Sequence, residues 1–473
     1  MNQPGEGENA RRDAQSGAGS LNESAAPRKL WRAGTLTYTT GGLVILFCWI
    51  LWGDFAWSMR GRLLEPLMPL LLKKFGASDT LMALLLSTLP AAMSAILSPI
   101  VSYRSDRHRG RWGRRIPYIL VSTPMAALFM VGLAFSQNIG GAIHHALGAG
   151  SPGLRTLTLT VFAMFSVGFD FAAIVTGSVF GALINDVVPR PFLGRFYGLF
   201  RILDLGAGII FNYWLIGTAE MHSQWVFAAI GTLYGVGVVM MCLMVKEGEY
   251  PPPADARPGE RKGFIAAAKV YFKECFSKPY YRWLFIGTTL SGMSFVPVNL
   301  YSVPYTKSLD ISMALYGKYI GTCYIISLCL AYFLGVLVDR FHPLRMVILA
   351  LALYAIAMLG GIFYATTPTR YLIALAVHTV LSGCYYTTSA SLGQRLFPHS
   401  TFAQFASAAG LVSATASIAL PVLFGAALDW SGHQYRYTFL MSSGIAMVAT
   451  VLMLAVHARF MRLGGPRHYV APE

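Results

Sequence analysis

Long apolar stretches separated by short polar segments run along most of this chain. Each stretch is about 20 residues long, the length that a helix needs to cross roughly 30 Å of hydrocarbon. The fourth stretch is longer and can tilt in the membrane or extend beyond it. The pattern predicts twelve transmembrane helices, at residues 41–59, 80–103, 116–136, 156–185, 196–216, 223–245, 281–303, 314–338, 344–365, 370–392, 403–427 and 438–460.

The composition also indicates a membrane protein. Of the 473 residues, 55% are hydrophobic and only 12% are charged, whereas soluble domains carry about 25% charged residues. The net charge of +16 is spread over loops between the apolar stretches, which favours contact with anionic lipid over nucleic acid. The cysteines form no CxxC pair and no metal-ligand spacing, so no disulfide framework, metal site or cofactor is expected.

The distribution of Lys and Arg predicts the orientation. If the N-terminus is cytoplasmic, 27 of the 37 Lys and Arg residues fall on the cytoplasmic side, 9 fall on the opposite side, and Arg201 lies within a span. Because cytoplasmic loops are enriched in Lys and Arg, we expect both termini in the cytoplasm. The expected location is an inner or plasma membrane, which the chain crosses many times.

The spans divide into two similar halves. Asp106-Arg107 ends the second span and Asp339-Arg340 ends the eighth, and the two aspartates are 233 positions apart (339 minus 106). The first and seventh spans begin at a similar offset, which indicates two pseudo-symmetric bundles around a site near the membrane midplane. The expected organisation is a disordered cytoplasmic N-tail (1–40) without a signal peptide, a six-helix bundle (41–245), a cytoplasmic linker with an amphipathic helix (246–280), a second six-helix bundle (281–460) and a cytoplasmic C-tail (461–473).

One loop carries a family resemblance. Asp106-Arg107, followed by Arg111-Trp112-Gly113-Arg114-Arg115, resembles the loop between the second and third helices of major facilitator superfamily transporters. Ser102 stands where that family usually has glycine, and an insertion separates the two parts of the motif. This longer form, followed by Pro117, is similar to the glycoside–pentoside–hexuronide cation symporters and the related sucrose transporters.

The resemblance implies specific site residues. Asp54, within Trp52-Gly-Asp-Phe55, resembles a sugar-binding aspartate of melibiose-type permeases. Asp170 and Asp186 have the spacing of an acidic pair in sucrose transporters, where the first aspartate is tied to sugar binding and proton coupling. Arg201 is the expected counterpart of an arginine in the fifth span of melibiose-type permeases.

The resemblance also bears on the coupling ion. Ser94 and Ser98 occupy the positions at which melibiose-type permeases carry sodium-binding aspartates. Because a hard cation prefers carboxylate ligands, a proton is expected instead of sodium.

Ionisable side chains within spans are costly, at about 2.5–3.5 kcal/mol or more each, so they need partners or water. Asp54, Asp170, Arg201 and Asp204 are the cases in the first half. Two carboxylates around one guanidinium would couple proton binding to transport, with Asp170 and Asp54 as the proton carriers. The alternative is a static ion-pair network that stabilises helix packing, in which Asp204 is the local partner of Arg201.

Aromatic and amide side chains supply the other solute-binding candidates. Flat rings pack against the C–H faces of a sugar, and amides hydrogen-bond to its hydroxyls; the alternative is that these rings lie at the membrane interfaces. His378 is expected to be a core histidine with satisfied hydrogen bonds, or else a residue of the pathway. The predicted solute-binding residues are Trp52, Asp54, Trp57, Asp170, Arg201, Asn212, Trp214, Tyr301, Tyr305 and Tyr385.

Charged residues at the helix ends are predicted to form a gate. Loop arginines would pair with acidic groups across the cytoplasmic face, and Asp106 would meet arginines of its own loop or a helix N-terminus of the other half. The alternative is that these arginines only set the topology. The predicted gating residues are Asp106, Arg107, Arg111, Arg114, Arg115, Asp339 and Arg340.

These observations predict an all-α transporter of the major facilitator fold. The expected activity is proton-coupled uptake of a sugar or small glycoside by a monomer. The alternative is an exporter or uniporter of a non-sugar solute. An enzyme is not expected, because the sequence shows no nucleophile–base set and no glycine-rich phosphate loop.

Overall fold

The computed structural model describes residues 30–249, 272–398 and 402–472. Most of the expected N-tail and the central part of the linker, including most of its expected amphipathic helix, lie outside these ranges. Within the tail, two short strands pair antiparallel, β1 (Trp31–Ala33) and β2 (Leu36–Tyr38). The expectation of disorder throughout 1–40 is therefore wrong for this hairpin. It is held by Trp31, whose ring packs 4.7 Å from that of Phe192.

Long helices make up nearly all of the described chain, and we number them in order. The first six are α1 (Thr40–Lys74), α2 (Asp79–Arg107), α3 (Ile116–Ala134), α4 (Leu154–Val187), α5 (Gly198–Met221) and α6 (Ser223–Met244). The second six are α7 (Pro279–Ser308), α8 (Met313–Phe341), α9 (Pro343–Tyr364), α10 (Pro368–Ser389), α11 (Gln404–Trp430) and α12 (Tyr437–Arg462).

Eleven of these helices are long and apolar enough to cross a membrane. The remaining one, α10, has a similar length of 22 residues. Its serines, threonines, tyrosines and His378 make it the least apolar of the twelve. The predicted all-α membrane fold is confirmed.

Helix α1 is much longer than the sequence pattern predicted. It covers 35 residues and continues 15 positions beyond the predicted end at residue 59. The charges of Arg60 and Arg62 interrupt the apolar pattern, which is why the span was expected to end before them. Leu63, Leu67 and Leu71 continue the buried face of the same helix beyond these charges. Two arginines thus lie in the middle of a membrane-spanning helix.

The helices form two bundles that meet along three pairs. In the first bundle α3 packs against α4 and α6, and α6 also packs against α1; in the second, α9 packs against α10 and α12, and α12 against α7. The bundles contact each other through α2 with α11, α5 with α8, and α1 with α7. Gly317 of α8 allows the closest approach, because a Cβ there would lie 2.2 Å from the Asn212 carbonyl oxygen.

Candidate solute-binding site

A cavity of about 310 Å³ lies between the two bundles. Helices α1, α2, α4 and α7 form its walls. Its apolar lining consists of Leu64, Met68, Pro69, Leu85, Leu86, Pro90, Phe169, Val296 and Leu300. The polar groups are Glu65, Ser87, Ser166, Asp170 and Asn299. Ser166 is buried, and its hydroxyl has no hydrogen-bond partner in the described part of the chain. An apolar cavity with a few convergent polar groups is typical of a small-molecule site.

Asp170 lies in this wall beside the buried guanidinium of Arg60. The guanidinium carbon is 3.9 Å from the ring centre of Trp57 and 5.4 Å from that of Phe169, and it also lies over Tyr234. Its charge interacts with that of Asp170. No ion pair within 4.0 Å forms between the two, and the Nε of Arg60 has no described hydrogen-bond partner. Aromatic faces therefore hold this cation close to a carboxylate without fixing it there.

A second arginine of α1 joins the two bundles. Arg62 donates hydrogen bonds to Asp204 of α5 at 2.7 Å and to the Tyr324 hydroxyl of α8 at 3.0 Å. Its Nη1 also lies 3.7 Å from Glu65. A smaller cavity of about 50 Å³ lies beside Arg62 and shares Glu65 and Asn299 with the larger one. The centre of the molecule is thus polar on the α1 side.

Four of the sequence-predicted residues lie in or beside this region. Asp170 lines the larger cavity, and Asn212 lines the smaller one while its amide donates to the Gly208 carbonyl at 2.8 Å. Trp57 stacks beneath Arg60. Asp54 is buried, and its Oδ2 atom has no hydrogen-bond partner among the described residues. Asp54 lines neither cavity.

Arg201 does not lie between Asp54 and Asp170 as expected. Its side chain is 56% exposed, and its ion-pair partner is Asp204 at 3.4 Å, one turn along the same helix. Arg60, which was missed, takes the position beside Asp170. The missed signal was a longer apolar stretch with Arg60 and Arg62 inside it instead of at its end.

The aromatic candidates also lie outside both cavities. Trp214 is 66% exposed, and Trp52 is partly exposed near α6. The Tyr301 hydroxyl donates to the Asp79 carbonyl, and that of Tyr305 donates to the Ala365 carbonyl at 2.6 Å. Tyr385 packs on a phenylalanine ring. Position along each helix explains this result, because Tyr301 and Tyr305 lie beyond Asn299 towards the outer end of α7.

The bundles are joined at the face that carries the α1–α2 and α11–α12 loops. Asp429 accepts hydrogen bonds from the backbone N–H groups of Asp79 and Thr80, at 2.7 and 2.8 Å, and from the Thr80 hydroxyl. The fully buried carboxylate of Asp79 pairs with Lys73 at 2.6 Å and with His433 at 2.6 Å. A carboxylate of the second bundle therefore caps the first turn of α2, in the first bundle.

At the opposite face, ion pairs between described residues stay within one bundle. Arg115 pairs with Asp106 at 2.6 Å, and Arg114 pairs with Asp186 at 2.7 Å. Asp339 pairs with Arg395 at 2.7 Å. The expected pairing of loop arginines across this face is therefore not seen in this conformation. The remaining gating candidates are Arg107, which stacks on Tyr103, Arg340, which lies near the ring of Phe341, and Arg111 in the same loop.

His378 makes two hydrogen bonds in the second bundle. Its Nδ1 lies 2.9 Å from the Tyr354 hydroxyl, and its Nε2 lies 2.9 Å from Oδ1 of Asn299. The histidine is only 1% exposed, whereas Asn299 is exposed in the cavity wall. The expected core histidine with satisfied bonds thus reaches the cavity through Asn299.

Comparison with known proteins identifies the family. The model of the family described as Major Facilitator Superfamily matches residues 50–421. Solute carrier family 45 member 4 of Mus musculus is 25% identical over 215 residues, which cover 43% of this chain and 26% of that protein. Sucrose transport protein SUT1 of Oryza sativa subsp. japonica is 31% identical over 121 residues, which cover 26% of this chain and 20% of that protein. The match thus spans only about a quarter or less of these relatives' own lengths.

A solved structure supports the fold over almost the whole chain. It is a bacterial homologue of the human lysosomal transporter Spinster in an inward-facing, unoccupied conformation. The TM-score is 0.66 with 14% sequence identity, covering 91% of this chain and 98% of the other. At this identity the likeness concerns the fold alone. With the family match over most of its length and the two-bundle architecture described above, the chain belongs to the Major Facilitator Superfamily.

Proposed function

We propose that this chain carries out proton-coupled symport of a sugar or small glycoside by alternating access. Family membership supports a transporter of a small solute, and the partial likeness to a sucrose transport protein favours a sugar. The observation that carries the coupling step is Asp170, a carboxylate in the cavity wall beside the aromatic-bound guanidinium of Arg60.

In this proposal Asp170 binds and releases the proton. Without a proton its negative charge attracts Arg60; with a proton that attraction ends, and the carboxyl group donates a hydrogen bond to a solute hydroxyl. The movement of Arg60 against Trp57 and Phe169 links the protonation state to the packing of α1 on α4. Asp54, with its unpartnered oxygen, is the second carboxylate of the proposal.

The hydroxyls at the expected sodium position support a proton as the coupling ion. Ser94 and Ser98 lie 3.2 Å apart and share a hydrogen bond, and Ser178 donates to Ser98 at 2.9 Å. These groups satisfy one another and include no carboxylate. Transport in the absence of sodium is therefore expected.

We place the joined face outside the cell. Arg60 and Arg62 belong to α1 and not to an outer loop, so 7 Lys and Arg remain outside (9 minus 2) against 27 inside. The contacts of Asp79 with Asp429 then close the outer side, and this conformation opens towards the cytoplasm. The two-bundle organisation, cytoplasmic termini and monomeric state belong to the same proposal.

Proteoliposomes test the proposal directly. With an inward pH gradient, the wild type is expected to accumulate at least one labelled sugar from a panel of mono- and disaccharides. Asp170→Asn should abolish accumulation but retain sugar exchange across the membrane, because the cavity is kept. Asp310→Asn, an exposed loop aspartate, is the matched control and should accumulate normally. Gradient-driven accumulation by Asp170→Asn would overturn the assignment.

The cavity chemistry favours one alternative, export of an amphipathic organic cation. Two carboxylates, Glu65 and Asp170, lie among mainly apolar side chains, and such a site attracts a positive charge with an apolar body. In the same vesicles this alternative predicts proton-driven movement of a cation such as choline in the direction opposite to the proton. Sugar accumulation without cation movement would exclude it.

A further inference from the structure

We infer that Asn299 is the polar contact of the second bundle with the transported solute, and that His378 and Tyr354 hold its amide in position. The inference rests on the proposed function of the cavity as the solute site. It adds a specificity-determining residue, and it requires a solute that offers an oxygen acceptor to the Asn299 N–H groups.

The lining of the cavity singles out Asn299. Most of the wall comes from α1, α2 and α4 of the first bundle, and the second bundle contributes only Val296, Asn299 and Leu300 among the described residues. Asn299 is the polar member of these three. A solute that moves two bundles relative to each other must interact with both of them. Asn299 is therefore placed to be the partner of Asp170 across the cavity.

A chain of hydrogen bonds fixes the amide. Since Oδ1 of Asn299 can only accept, the facing Nε2 of His378 carries a hydrogen, and in the neutral ring Nδ1 then accepts from the Tyr354 hydroxyl. The direction of donation is thus the same along the whole chain. Both histidine and tyrosine are fully enclosed, and the ring of Phe295 packs on that of Tyr354 at 4.6 Å. The free amide nitrogen of Asn299, with two donors, remains for the solute.

A purely structural role makes a different prediction. If His378 only satisfied its own hydrogen bonds in the core, removing them would lower stability without changing solute affinity. Tyr354→Phe separates the two, since it removes one hydroxyl and leaves the ring packed. Tyr305→Phe is the matched control, because Tyr305 is a buried tyrosine of the same bundle whose hydroxyl bonds to the Ala365 carbonyl away from the cavity.

The experiment measures uptake of labelled sucrose and, separately, labelled choline by proteoliposomes. For a transported probe, Asn299→Ala is expected to raise KM about tenfold, the loss of roughly one hydrogen bond, with maximal rate within a factor of about two. Tyr354→Phe should raise KM severalfold, and Tyr305→Phe should leave it unchanged. Asn299→Ala should also remove any preference for choline over tetramethylammonium, which lacks the hydroxyl.

The outcomes separate the two proposals. If the wild type carries sucrose and KM is unchanged in both Asn299→Ala and Tyr354→Phe, the inference is overturned and sugar transport stands. If the wild type carries choline but not sucrose, sugar symport is overturned, and the choline data decide on Asn299. Transport of neither probe would overturn both. An equal rise of KM in Tyr305→Phe would show that Tyr354 acts through stability alone and would overturn its positioning role.

Discussion

At the scale of single residues, buried charge at the middle of α1 defines this protein. A guanidinium at membrane depth costs several kcal/mol unless aromatic faces, carboxylates or water compensate it. Arg60 has three aromatic rings and the nearby charge of Asp170, and Arg62 has Asp204 and Tyr324. The two arginines differ in a useful way: Arg62 is held by direct hydrogen bonds, whereas Arg60 is left able to respond to Asp170.

We predict that Arg60→Gln uncouples transport. Without the guanidinium, the ionised form of Asp170 loses its counter-charge, so proton release becomes unfavourable and gradient-driven accumulation should fall by at least about tenfold, equivalent to about 1.4 kcal/mol. Arg60→Lys should recover only part of the activity, because lysine lacks the planar group that stacks on Trp57. Uptake of labelled sugar under a pH gradient measures both.

Arg370→Gln provides the control for this substitution. Arg370 is an exposed arginine at the start of α10, beside Tyr364, and its loss should leave accumulation unchanged. Full accumulation by Arg60→Gln would contradict the role given to this residue. Equal losses in the two variants would indicate a general effect of removing positive charge.

The site was predictable from sequence only in part. Asp170 was identified, since a carboxylate inside an apolar stretch is conspicuous. Arg60 was taken for a loop residue because charge and helix end normally coincide. Asn299 was passed over because amides within spans are common; only the fold shows that it faces the cavity and bonds to His378.

At the scale of elements, the start of α2 is the point where the bundles hold each other. Its first backbone N–H groups donate to Asp429 of α11, and its Asp79 side chain is buried among Lys73, His433 and Tyr435. A helix normally receives such a cap from its own chain neighbourhood. Here Ser78 supplies one local cap, and the other bundle supplies the second. Separation of the bundles at this face must break the second cap.

We predict that Asp429→Ala shifts the protein towards a conformation open at this face. Loss of an N-cap costs about 0.5–2 kcal/mol, which corresponds to roughly a 2- to 30-fold shift in the population of open molecules. In a background without native cysteines, Ser87→Cys in the cavity should react faster with a membrane-impermeant maleimide added outside when Asp429→Ala is present. Asp310→Asn should not change the rate. An unchanged rate in Asp429→Ala would contradict the latch.

Element boundaries were predicted well where charge and loop coincide and poorly where they do not. The ends of α3, α6 and α9 lie within a few residues of their predicted positions. Helix α1 was cut short by its buried arginines, and α7 is one unit of 30 residues whose regular hydrogen bonding is interrupted before Val296 and Pro297. Tertiary partners such as Asp204, Tyr324 and Asp170 decide these cases, and a linear pattern does not contain them.

At the scale of the whole molecule, the contacts are asymmetric. One face joins the bundles through Asp79 and Asp429, and Glu220 of α5 pairs with Lys307 of α7 across the same interface. At the other face, described ion pairs such as Arg115 with Asp106 stay within one bundle. This is the arrangement of a transporter that is closed on one side. In the proposed orientation, solute and proton leave together towards the cytoplasm.

The energy source follows from the proposed orientation. A membrane potential contributes about 2.3 kcal/mol per charge for each 100 mV, so one proton entering with each neutral sugar supports accumulation of tens-fold. A static ion-pair network, the alternative raised by the sequence, would leave transport independent of this potential. Coupling is therefore the claim on which the account depends.

Sugar-triggered proton entry tests that claim most directly. Proteoliposomes containing a trapped pH-sensitive dye, with no initial pH gradient and an inside-negative potential, receive the sugar that the wild type accumulates. The account predicts that the interior acidifies when the sugar is added, and that Asp170→Asn abolishes this signal while Asp310→Asn retains it. Sugar entry by the wild type without acidification, or acidification of equal size in Asp170→Asn, would contradict it.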